Sequence, residues 1–130
     1  MSDARPSDPL AEVLAFFDEW KPTLGAMLAS MEKRFTDTTV WENHGLSRTV
    51  GFAEASAFMA GFAQVKPIES AEVIVHHAAA VDNVVLTERT DNFFDKDGNL
   101  IVSIVLMGRF EMDGPRIVSW RDYFDTAKGF

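Results

Sequence analysis

The apolar positions of this chain change period once, near Pro67. Before it they recur at three- and four-residue spacing; after it they alternate. Leu10, Val13, Leu14 and Phe17 follow the i, i+3, i+4, i+7 stripe of an amphipathic helix. Ser7 or Asp8 can cap that helix, with Pro9 in its first turn, where a missing N–H is harmless. Pro22 should end or kink it, because proline removes an intrahelical hydrogen bond and clashes with the preceding turn. Leu24, Met27, Leu28 and Met31 repeat the stripe, so a second helix is expected to run to Arg34. Residues 38–43, TTVWEN, are rich in β-formers and read as a strand. A turn through HGLSRTVG leads to a third helix carrying Phe52, Ala55, Phe58, Met59 and Phe62.

Past Pro67, strands are expected over 69–80, 83–94, 100–111 and 116–125. Asp82-Asn83, Asp97-Gly98 and Asp113-Gly114 separate them, and such pairs suit the left-handed backbone of tight hairpin turns. The order is α-α-β-α-β-β-β-β. Helices first and an antiparallel meander last describe an α+β fold, with helices on one face of a curled sheet. Residues 1–7 are polar and read as a flexible N-terminus, with a single domain over 8–130.

Alternation then assigns faces. On 100–111 the even positions from Leu100 to Phe110 are apolar, apart from Gly108, and should face the helices. On 116–125, Val118, Trp120, Asp122 and Phe124 share a face, so Asp122 is an acid among large apolar side chains. On 83–94, Val85, Thr87, Arg89, Asp91 and Phe93 share a face, and two charges are bracketed by apolar residues. Burying an unpaired charge is costly. Two arrangements satisfy the pattern. One is a buried set in which the Arg89 fork binds Asp91 and Asp122 together. The other is an exposed salt bridge on the convex side of the sheet.

Composition narrows the chemistry. The 130 residues include no cysteine, which excludes disulfides and thiol nucleophiles and fits a reducing cytoplasm. A net charge of −8 argues against a nucleic-acid surface, which needs a basic patch. The start MSDARPSDPL lacks the basic and apolar regions of a secretory signal. No apolar run approaches the ~20 residues of a membrane span. A cytoplasmic protein with no nucleic-acid or membrane partner is therefore expected. DKDGN (95–99) opens like a calcium loop but lacks the glutamate that would close one, so it reads as a hairpin turn and no metal is expected. His76 and His77 are adjacent on a strand and should point to opposite faces. Glu88 and Arg121 alternate away from the charged face and are expected to form a solvated or dimer-facing pair. Trp20 is expected to serve packing alone.

TERTD (87–91) together with VSWRDYFD (118–125) resembles the limonene-1,2-epoxide hydrolase family, which keeps an Arg-x-Asp on one strand and a Trp-Arg-Asp near the C-terminus. The resemblance covers roughly residues 10–125, with similar spacing between the motifs. It implies the cone-shaped α+β barrel shared with ketosteroid isomerase, scytalone dehydratase and nuclear transport factor two. In this chain that means a cone-like half-barrel with the N-terminal helices on its concave face. It also implies roles: Asp91 as acid, Arg89 as the bridging arginine, Asp122 as general base. The family holds the attacking water with a Tyr-x-Asn. In WEN (41–43) Asn43 matches, while Trp41 stands where the tyrosine would be. An indole N–H donates a hydrogen bond but accepts none, so Trp41 should position water or substrate differently.

Opening an epoxide requires a proton for the leaving oxygen and a nucleophile on carbon. Two nearby carboxyls in an apolar pocket can divide these tasks, since one charge disfavours the other. The resemblance implies that Asp122 activates a water held by Asn43 while Asp91 protonates the oxygen, giving a vicinal diol in one step. This route requires no metal, organic cofactor or covalent intermediate. Met27, Leu28, Met31, Phe58, Met59, Phe93, Ile104, Leu106 and Phe124 are the expected pocket walls for a small apolar or cyclic epoxide. Rival readings of the same fold are an isomerase, a dehydratase or an epoxide-opening cyclase, or a non-catalytic ligand-binding or dimerisation domain. A homodimer through the outer sheet face, with Val105 and Met107, is expected.

Overall fold

The computed structural model describes residues 8–128; the N-terminal segment 1–7 lies outside them. Helix α1 (Pro9–Asp18) begins at Asp8, whose carboxylate accepts the Leu10 N–H at 3.0 Å, with Pro9 in the first turn. It stops before Pro22, and Thr23 caps helix α2 (Leu24–Arg34) by accepting the Ala26 N–H at 3.1 Å. Strand β1 (Phe35–Asn43) follows directly and turns at Gly45, which adopts φ 79°. It then pairs with a strand that the sequence did not announce, β2 (Ser47–Val50). Four residues are too few to show an alternation, which is why this stretch reads as a turn. Helix α3 (Gly51–Val65) starts on a second left-handed glycine; a side chain on Gly51 would press against the Asp37 backbone. The meander is β3 (Ser70–Val81), β4 (Val84–Phe94), β5 (Leu100–Asp113) and β6 (Arg116–Phe124), and Thr126–Lys128 form a short 3-10 turn.

The six strands form one open sheet in the order β2-β1-β6-β5-β4-β3. All pairs are antiparallel except β1 with β6, which run parallel. The fold is α+β, as expected, with helices covering one face. Among the described residues no helix is long and apolar enough to cross a membrane.

The core lies between α1, α2, α3 and the inner sheet face. Its centre is aromatic: Phe16 and Phe17 of α1 meet Phe110 and Trp120 of the sheet edge to face, and Trp20, just past the helix, packs edge-on against Phe16. Such pairs add roughly 0.5–1.5 kcal/mol beyond their buried area. On α1, Phe16 rather than Leu14 points inward, and Leu14 is exposed. The two helices are clasped by buried Arg34. Its guanidinium donates to both Glu19 oxygens, at 2.6 and 3.2 Å, and to Ser30 Oγ, with Glu12 3.6 Å away.

Three assignments made by alternation are overturned by bulges, each inserting one unpaired residue and reversing the faces beyond it. A bulge at Val118 leaves that residue exposed and turns Ile117 into the core. One at Ile101 turns Leu100 outward. One at His76 places both histidines on the outer face, where His76 Nε2 lies 2.8 Å from Thr90 Oγ1 and His77 Nδ1 lies 2.8 Å from Glu88. Glu88 is thus engaged by His77, and Arg121 donates to Glu42 at 3.1 Å; the two are not partners of each other.

Candidate active site

Strand register builds the site. One row across the sheet sets Ser47, Asn43, Asp122, Gly108 and Thr87 side by side on β2, β1, β6, β5 and β4. The neighbouring row sets Thr49, Trp41, Trp120, Phe110 and Val85 in the same order. The first row is polar and the second is aromatic, because successive same-face residues lie two positions apart on every strand. Trp120 is sandwiched in its row, stacked on Trp41 at 4.9 Å and on Phe110 at 5.3 Å between ring centres.

Arg89 and Asp91 share the inner face of β4 with Thr87, and the buried arrangement prevails over the exposed one. Arg89 is completely buried. Its Nε and Nη2 donate to the two oxygens of Asp91 at 3.2 and 3.0 Å. Its Nη1 and Nη2 donate to those of Asp122 at 3.1 and 2.9 Å, and Nη1 also reaches Thr87 Oγ1 at 3.0 Å. All five N–H groups of the guanidinium are thereby used. Phe17 of α1 lies over the cation, 4.4 Å from ring centre to Arg89 Cζ, a cation–π contact that ties the helix to the triad.

The two carboxyls are not equivalent. Asp122 accepts a further bond on Oδ1 from Trp120 Nε1, at 2.8 Å. With two donors on Oδ1 and one on Oδ2, its remaining lone pair is on Oδ2. Among the described residues, Asp91 receives donors from Arg89 alone. Burial pushes the Asp91 carboxyl above the usual aspartate range; Arg89 pulls it back, and the Asp122 charge adds to the rise. Burial also works against the charge on Arg89, but Asp122 and Asp91 outweigh it and hold the guanidinium more firmly protonated. The set therefore offers one carboxyl, Asp91, biased towards its acid form beside a second, Asp122, with one open acceptor position.

These groups open on a cavity of about 170 Å³, comparable with the ~150 Å³ engineered cavity that admits benzene. Asn43, Asp91 and Asp122 line it, as do Trp41, Met27, Phe58, Met59, Phe93, Ile104, Leu106 and Phe124. Two expected wall residues do not. Met31 is buried in the core, one turn along α2 from Met27, and Leu28, about 100° round the helix from Met27, packs against that core. Trp20, expected to be packing alone, lines the cavity, as do Leu46 and Phe62. The buried Nε1 donors of Trp20 and Trp41 find no acceptor among the described residues.

Sequence reasoning missed Thr87, Trp120 and Gly108 as parts of this constellation. Thr87 and Trp120 each stand two residues from a triad member, on the same face. Gly108 was the signal hardest to read: a glycine on the inward face of a strand. A Cβ there would collide with Arg89 Nη1, Asp122 Oδ1 and Thr87 Oγ1. Among the described residues, no group of three or more His, Asp or Glu side chains is arranged to hold a metal ion. In the 95–99 turn the Asp95 carboxylate accepts the Asp97 and Asn99 N–H groups, closing a hairpin.

Comparison with known proteins bears on this geometry. The limonene-1,2-epoxide hydrolase catalytic domain matches residues 21–130. Epoxide hydrolase EphG of Mycobacterium tuberculosis is 38% identical over 94 residues, 72% of this chain and 60% of that protein. The match thus spans about three fifths of the relative's length. The structure of an M. tuberculosis limonene-epoxide-hydrolase-like epoxide hydrolase superposes with a TM-score of 0.72 at 31% identity, covering 92% of this chain and 84% of that one. A Jannaschia sp. CCS1 protein described as a SnoaL-like polyketide cyclase has a TM-score of 0.72 at 18% identity, covering 98% and 94%; that likeness concerns the fold alone.

Proposed function

The chain belongs to the limonene-1,2-epoxide hydrolase family, and on that premise we propose that it adds water to a small apolar or cyclic epoxide, giving a vicinal diol. The observation that carries the reading is the buried Asp91–Arg89–Asp122 set opening on an otherwise apolar cavity. A scaffold or carrier has no use for two carboxyls there.

In this reading Asp122 is the general base. Its open Oδ2 position takes a proton from a water held with Asn43 as the water oxygen bonds to an epoxide carbon. The C–O bond breaks, and Asp91 delivers its proton to the leaving oxygen. Arg89 holds both carboxyls and stabilises whichever is anionic. After the step the proton has moved from Asp91 to Asp122 by way of product formation, and exchange with solvent restores the start. No covalent intermediate forms.

Asp91→Asn and Asp122→Asn should each abolish turnover while leaving the thermal transition cooperative. Turnover in oxygen-18 water should place one labelled oxygen in the diol. Unlabelled product would favour a cyclase or isomerase, and substantial activity in either variant would remove the mechanism. Because burial raises Asp91, its acid form persists above the usual aspartate range and is lost as pH climbs through the raised value. Activity should fall on that basic limb, which belongs to the coupled pair.

Pairing of two copies through the outer sheet face is part of the same proposal. Val105 is 71% exposed and Met107 54%, and Ile74, Leu86 and Tyr123 continue the apolar surface across β3, β4 and β6.

A further inference from the structure

The water-holding side of the site rests on an amide whose two ends have opposite properties. Asn43 offers an acceptor, Oδ1, and a donor, Nδ2. A water that attacks carbon must give its protons to acceptors, so that an oxygen lone pair stays free. An Asn43 presenting Nδ2 would donate to that lone pair and quench it. One presenting Oδ1 would accept a water proton and leave the lone pair exposed.

In the structure the donor end of the amide faces Ser47. Asn43 Nδ2 donates to Ser47 Oγ at 3.0 Å, and the two residues are direct cross-strand partners in the β1–β2 hairpin. On its other side Asn43 is the register partner of Asp122. Among the described residues no group donates to Asn43 Oδ1. Trp41 Nε1 can only donate; Asn43 and Asp122 stand side by side as acceptors at the cavity, where Asp91 is the acid of the reading above.

We propose that Ser47 is a positioning residue, which engages the donor end of the Asn43 amide so that Oδ1 serves with Asp122 as the second acceptor for the attacking water. This rests on the hydrolase reading above and extends it to a strand, β2, that otherwise carries no functional side chain. Ser47 is not among the residues lining the cavity, and its effect runs through Asn43.

A double-mutant cycle tests it, with diol formation from a panel of small cyclic epoxides as the assay. Ser47→Ala should lower kcat about tenfold, the order of one lost hydrogen bond, with KM changed less than about twofold. Ser47→Thr retains the hydroxyl and should retain most of the rate. Asn43→Ala should cost more, and adding Ser47→Ala to it should cost nothing further. Multiplying effects, or an undiminished kcat in Ser47→Ala, would overturn the role and leave the hydrolase reading standing. No diol from the wild-type protein with any epoxide would remove the reading, and this role with it. A thermal transition measured on each variant separates a lost rate from a lost fold.

Discussion

Gly108 illustrates how much of the site depends on a side chain that is not there. It lies between Thr87 and Asp122 in the polar row, and the Arg89 guanidinium occupies the space above it. A methyl group would meet three triad-associated atoms at once, and none is the free end of a flexible chain. Gly108→Ala should therefore destabilise the protein by about 1–3 kcal/mol through overpacking. It should also lower kcat/KM roughly 100-fold, since displacing a reacting group by about an ångström has that effect. Steady-state kinetics beside a denaturant titration check both parts. The charged residues of the site were legible in sequence because an i, i+2 pair of charges on an apolar strand face demands a partner. Gly108 was not, because alternation records what a side chain buries and is silent about what its absence admits.

At the scale of elements, the helix pair is held by one buried cation. Arg34 reaches back to Glu12 of α1 and to Glu19 at its C-terminal cap, and the hydrogen bond from Arg34 lowers the Glu19 carboxyl to about 2, against some opposition from burial. A depressed folded-state value contributes stability that is present above the unfolded value of 4.5 and lost as pH falls toward about 2. The Glu19 side chain is 36% exposed, so solvent screening keeps the contribution modest. Glu19→Gln should lower the thermal midpoint at neutral pH and flatten its decline between those two pH values; an unchanged slope would show that other carboxylates dominate.

The same scale shows where sequence reading failed. Strand positions came out within a few residues because the turn pairs and the period are local properties. Bulges at His76, Ile101 and Val118 are not local: they arise where two strands must adjust to each other. Each one inverted a face that the pattern had assigned. The site escaped because Thr87 to Asp91 and Trp120 to Asp122 lie on uninterrupted stretches.

For the whole molecule, the sheet has one covered face and one open face. Rows run across the open side from Ile74 through Thr90 to Val105, and from His77 through Glu88 and Met107 to Tyr123. These rows set exposed Ile74, Val105, Met107 and Tyr123 among polar Thr90, His77 and Glu88, and the proposed pairing would cover them. If a second copy covers them, Val105→Glu should convert a dimer to a monomer in sedimentation or light scattering at micromolar concentration. Activity measured in parallel would show whether the pocket depends on that contact. A monomeric wild-type protein would remove the dimer altogether.

The parallel pairing of β1 with β6 has a consequence for how the chain comes together during synthesis. As the ribosome delivers the chain, the β1–β2 hairpin emerges early and β3, β4 and β5 follow as a meander. These two pieces share no strand contact in the finished sheet. In the finished sheet a gap one strand wide separates them, and β6 fills it. The strand that fills this gap also carries Asp122, so joining the two pieces of sheet and placing Asp122 both depend on β6. A chain lacking β6 has neither a continuous sheet nor Asp122.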